Sequence, residues 1–180
     1  MSNRANAVLS WLLVTAGIAV ALKAADRVPA LLAGAPHGAR SYQTVAEAER
    51  DTGARVWLPT ALPPSVDWPP FRVDAWPGPP LSVALRANGR SEPREHLVIV
   101  QSIGVPASPP ALLLEPLQAL LVTDVAVGAR RAVLTRGLEP GGRLVHDLAW
   151  DAGTRRLTLR YAGPVEELLR LAAAFERERP

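Results

Sequence analysis

The sequence predicts an α+β protein: a single N-terminal transmembrane helix, then a domain with a mainly antiparallel sheet and helices packed on one side. Three observations carry this expectation. Residues 5–22 form an uncharged run of eighteen, and its helical length of about 27 Å approaches the roughly 30 Å hydrocarbon core of a bilayer. Several later stretches alternate apolar and polar residues with period two between turn residues, as half-buried strands do. Residues 164–177 repeat apolar residues at spacings of three and four, the pattern of a helix with one buried stripe.

In the first stretch Val8, Leu9, Trp11, Leu12, Leu13, Val14, Ile18, Val20 and Leu22 supply the apolar surface of an anchor. Lys23 and Arg27 read as headgroup-level residues with snorkelling stems. A cleaved signal peptide is the alternative, with Arg4 as its basic start. Against it, the apolar run exceeds the usual length, and the nearest small-x-small pattern, Ala33-Gly34-Ala35, lies eleven residues past Leu22. A buried helix of a soluble fold is the third reading. Basic residues on the two sides nearly balance, so charge orients the helix weakly. The short tail before a first apolar helix places the N-terminus in the cytoplasm. The expected location is the cell membrane, single-pass, with the remainder extracytoplasmic on the periplasmic side. The expected division is 1–23 transmembrane anchor, 24–40 linker broken by Pro29, Gly34, Pro36 and Gly38, and 41–180 extracytoplasmic α+β domain.

Within that domain Thr44 and Glu47 have capping-box spacing and Gly53 is placed to end a short helix. Arg55 to Pro59 reads as a short strand before the proline-broken Leu62-Pro63-Pro64. Phe71, Val73 and Ala75 share one strand face, as do Leu81, Val83 and Leu85 before the turn dipeptide Asn88-Gly89. Residues 97–103 are nearly all apolar and suit a central strand covered on both faces. Residues 109–121 read as a helix interrupted by Pro116; 122–127 and 131–135 read as strands joined at Gly128. Leu144 to Trp150, the turn Asp151-Ala152-Gly153-Thr154, and Arg155 to Tyr161 form the clearest hairpin. Pro164, Glu166 and Glu167 suit the positive end of the closing helix.

Composition narrows the chemistry. There is no cysteine, which removes disulfides and thiolate chemistry. The net charge is +3, and residues 1–34 hold +2 of it, so the rest is nearly neutral. That gives no sign of the gathered basic face that nucleic acid requires. The three histidines, His37, His96 and His146, form no metal-binding spacing. His146 and Asp147 are adjacent, but neighbours in a strand point to opposite faces. Asp147 and Asp151 are the best candidates for a hydrolytic carboxylate pair, with a turn aspartate the commoner reading. The glycine-rich Gly137 to Gly142 lacks the Lys-Ser/Thr of a phosphate loop. No catalytic residue, metal site or cofactor is expected, and the protein is read as not an enzyme.

The order of these pieces resembles a bacterial family of membrane-anchored extracytoplasmic domains of unknown function, found in sporulation-associated and anti-sigma-like proteins. The matching pieces are Leu58-Pro59…Leu62-Pro63, Val125-Ala126-Val127-Gly128…Ala132-Val133-Leu134, Trp150…Gly153 and Glu166-Glu167-Leu168…Leu171-Ala172, over roughly residues 43–177. The matching positions are structural, so the resemblance implies a location and a fold but no catalytic residue. The density of Trp and Pro in residues 57–80 departs from the family pattern. Trp57, Trp68, Pro69, Pro70, Trp76 and Pro77 are therefore the candidate partner surface, since tryptophan is enriched in binding hot spots; core-capping indoles and stiff loops are the competing reading. The functional expectation is a non-enzymatic, membrane-anchored accessory or structural subunit. It would touch membrane lipids and other membrane-protein subunits, and no nucleic acid. A sensing or regulatory domain binding a small ligand, lipid or cell-wall fragment is the alternative.

Overall fold

A sheet of eight strands organises the chain, and every pair of neighbours in it runs antiparallel. The computed structural model describes residues 39–77, 80–104 and 113–176, all within one folded unit. In chain order the elements are β1 (Arg40–Tyr42), α1 (Val45–Thr52), β2 (Arg72–Trp76), β3 (Leu81–Asn88), β4 (Glu95–Ile103), β5 (Gln118–Val127), β6 (Arg130–Leu138), β7 (Leu144–Ala152), β8 (Arg155–Tyr161) and α2 (Val165–Glu176). In space the order is β1-β2-β3-β4-β8-β7-β6-β5. Two meanders meet at the centre, where β4 pairs with β8, and β5 lies at the margin opposite β1.

Period-two alternation sorts the side chains onto two faces. On one face Val73, Val83, Leu85, Ile99, Leu148, Leu157 and Leu159 are buried against Leu168, Leu171, Ala172 and Phe175 of α2. Each such aliphatic side chain contributes about 1.5–3 kcal/mol by leaving water. Trp150 meets Phe175 edge-on with ring centres 6.2 Å apart. On the other face Ala84, Val98, Val100 and Leu113 form a smaller apolar patch.

The short helix α1 is fixed at both ends. The Glu47 N–H donates to Thr44 Oγ1 at 3.2 Å, and Gly53, at φ 67°, donates its N–H to the Glu49 carbonyl. A left-handed terminator favours a residue without Cβ. The loop between α1 and β2 is tied to the sheet by polar contacts. Ser65 Oγ lies 2.7 Å from the Tyr161 hydroxyl, which donates to Glu167 on α2. Burial, and then that hydrogen bond, push the phenol up to about 12.

Several expectations need correction. Among the described residues the class is predominantly β, with two helices of eight and twelve residues, and not α+β with an N-terminal membrane helix. The helix expected over 109–121 is replaced from Gln118 onward by β5. Pro116 lacks the N–H a helix interior needs, and the strand expected over 122–127 extends back to Gln118. No strand forms at Arg55 to Pro59. The side chain of Gln101 takes the place of a ladder there. Its Oε1 accepts the Trp57 N–H at 2.9 Å, and its amide donates to the Trp57 carbonyl. Strand β1 begins at Arg40, the last residue assigned to the linker.

The membrane location is corrected too. Among the described residues no helix is long and apolar enough to cross a membrane. The longest, α2, rises about 18 Å. The single-pass location and its cytoplasmic N-terminus therefore have no span in the structure to rest on. The residues assigned to the anchor (Val8, Leu9, Trp11, Leu12, Leu13, Val14, Ile18, Val20 and Leu22) lie outside the described residues.

Candidate functional site

The candidate partner residues do not gather on one surface. Trp57 and Trp68 are half-buried against the helix-side core. Trp57 also carries the Arg155 guanidinium 4.6 Å from its ring centre, a cation–π contact. Trp76 lies on the opposite face of the sheet with Ala84, Val98 and Val100. Pro70 is buried, while Pro69 and Pro77 are exposed. The indoles close the edges of two separate apolar layers.

Several ionisable groups on the face opposite the helices are engaged with one another. Asp74 accepts from Ser41 Oγ at 2.6 Å, Arg72 Nε at 2.8 Å and Arg86 Nε at 3.1 Å. Burial opposes its ionisation, but those hydrogen bonds outweigh it and hold the carboxyl below the ordinary range. Arg86 continues to Glu95 at 2.7 Å and to the Leu113 carbonyl at 2.8 Å. Further along, Arg160 grips Asp147 with two parallel hydrogen bonds of 2.8 and 2.7 Å, the bidentate geometry that fixes both partners. Asp151 meets Arg156 at 3.2 Å. The two aspartates singled out for hydrolysis are thus each held by an arginine of β8. His146 faces the other way, with Nδ1 3.2 Å from the Gly163 carbonyl. Among the described residues no group of three His, Cys, Asp or Glu side chains is placed to hold a metal ion, and no buried side-chain nitrogen or oxygen lacks a partner.

One feature of the molecule stays unspent. Among the described residues strand β5 pairs with β6 along one side only, and the other side of such an edge presents backbone N–H and C=O groups. Eight of its ten residues are exposed. Leu120, Leu121 and Val122 are 55, 58 and 59 % exposed, the largest values for large hydrophobic side chains among the described residues. Val133 on β6 adds a fourth apolar side chain at 38 %. The register jumps between Ala119 and Leu121, leaving Leu120 as a bulge with no residue opposite it. Beside this margin, between residues 114–117 and strands β6, β7 and β8, lies a cleft of about 350 Å³ lined by Leu114, Val133, Ala149 and Thr158 with Arg156 and Arg160.

Two arginines stand one strand inside the edge. Arg136 is opposite Leu121, on the side of the sheet that bears the helices. Arg131 is opposite Ala126, on the other side. Both are exposed, and neither makes a hydrogen bond or ion pair among the described residues. Sequence reasoning missed this margin. The signal available was the apolar run Leu120-Leu121 after Pro116, which leads directly into the strand expected over 122–127.

Fold and site together define an antiparallel β-sheet domain with one closed and one open margin. Compared with protein-family models, with curated proteins and with solved structures, the chain finds no match in any of the three.

Proposed function

We propose that this chain is a non-enzymatic accessory or structural domain that docks on a larger protein assembly through the open margin at β5. The observation that carries this reading is a ten-residue edge strand with three consecutive large apolar residues more than half exposed. An edge of that length exposes backbone hydrogen-bonding groups and apolar side chains together, the combination that strand addition uses. The ionic side chains of the neighbouring face support the same reading, because they are engaged in fixing the sheet and are not poised for a reaction. A photo-crosslinking residue at position 122 in the full-length chain tests it, with position 40 as control. In native extract, position 122 should give an adduct of one discrete mass and position 40 should give none. No adduct at 122 would sink the reading.

A second reading, a domain that binds a small ligand, draws on the cleft beneath residues 114–117. Its mixed lining suits an amphipathic molecule. Ligand-induced protection of the β7 and β8 amides, without protection of β5, would favour it over docking.

A further inference from the structure

We infer that the occupant of the β5 margin is an extended segment of another protein with acidic residues at its two ends and apolar residues between them. This rests on the docking reading above and adds the chemistry of the partner. A strand added along β5 lies one strand spacing, about 4.8 Å, beyond it. The two arginines of β6 lie the same distance on the inner side. An arginine stem is long enough to cross β5 and meet a carboxylate on the far strand.

The registers fix where those carboxylates must be. Arg136 shares a row with Leu121 on the helix-bearing face, and Arg131 shares a row with Ala126 on the other face. Opposite an antiparallel guest of seven residues covering Leu121 to Val127, the row of Ala126 falls at the guest's second position and the row of Leu121 at its seventh. Between them the guest meets Val122, Thr123, Asp124 and Val125, so β-branched apolar residues suit its middle. Asp124 is the only charge on β5, and a basic guest would have to meet both arginines.

A second copy of this chain fits less well. Antiparallel pairing of β5 with its own twin brings one acid, Asp124, from each copy. Asp124 shares the face of Arg131, not that of Arg136. It reaches the row of Ala126 only with Val125 on the twofold axis. That register pairs 122 with 128 and leaves Leu121 uncovered and Arg136 unmatched.

The probe is a fluorescein-labelled peptide, acetyl-Thr-Glu-Val-Thr-Val-Val-Glu-amide, read by fluorescence anisotropy against the full-length chain. The comparison peptide carries Lys at both Glu positions. The acidic peptide should bind about tenfold tighter than the lysine one, because like charges set side by side are costly. The double variant Arg131→Glu/Arg136→Glu should invert that preference. Circular dichroism of the variant checks that it folds, and single reversals at each site serve if the double one does not. If the peptides bind equally and Val122→Lys weakens both, docking at β5 stands and the acidic partner is overturned. If neither peptide binds and position 122 gives no adduct in extract, both fall. If sedimentation shows a dimer that Val122→Lys splits, a second copy holds the margin and the inference is overturned.

Discussion

At one margin of the sheet β1 offers three residues, and at the other β5 offers ten. All three β1 side chains are tied down. Arg40 bonds Asp51 at 2.6 Å, Tyr42 donates to the same carboxylate, and Ser41 donates to Asp74. Shortness and charge are what edge strands use to refuse a visitor. Strand β5 has one charge and no proline, and its exposed side chains include the consecutive Leu120, Leu121 and Val122. The contrast teaches that the same fold can close one side by spending side chains on itself and leave the other side available. An unblocked edge in an otherwise satisfied protein reads as retained for use.

The comparison can be strained first at the closed margin. Asp74→Ala removes the acceptor shared by Ser41, Arg72 and Arg86 and leaves Arg86 half-compensated. The expected loss is about 3 kcal/mol in urea denaturation, with β1 amides exchanging faster than β5 amides. The pH dependence follows from the same residue. Its folded carboxyl titrates below the ordinary value of about 3.9, so its stabilisation is present above about pH 4 and disappears as pH falls through the lower folded value. Asp74→Asn should therefore show a flatter acid limb than the parent chain.

A smaller effect is expected where β5 is seated. A Cβ added at Gly137 would meet the Gln118 carbonyl oxygen at 2.8 Å and the Leu117 Cβ at 3.0 Å. Gly137→Ala should cost about 2 kcal/mol by forcing the start of β5 outward, with exchange accelerated at residues 118–120 and unchanged in β1. The smallest effect belongs to the open margin itself. Val122→Lys should change stability by less than about 0.5 kcal/mol while abolishing peptide binding. A large loss of stability would show that Val122 serves the fold and not a partner.

How much of this was legible depends on burial. The β7–β8 hairpin showed in the sequence because Leu157, Leu159 and Tyr161 alternate with polar neighbours around Asp151-Ala152-Gly153-Thr154, and α1 showed because Thr44 and Gly53 cap it. Strand β5 showed only from Val122 onward; its first four residues and its exposure at the margin did not, because periodicity records one buried face and one wet face, and most of β5 is exposed on both. Its place at the margin depends on β4 pairing with β8, a long-range choice that no local pattern near Gln118 records. The Trp and Pro density of residues 57–80 was visible, but it reported the rims of two apolar layers. The residues on which the expected resemblance was based fall in the β5–β6 and β7–β8 hairpins, the loop after α1, and α2. They are positions of turns and core, which say little about a partner.

The displaced residue at Leu120 has one more effect. Any ladder continued outward from β5 loses step there, so an uninterrupted run extends only from 121 to 127. At about 3.4 Å per residue that is a gauge near 24 Å long. On the proposed docking, a shorter incoming chain forfeits ladder hydrogen bonds in proportion, and a longer one finds no continuous ladder for its surplus, so this margin would set the length of its guest.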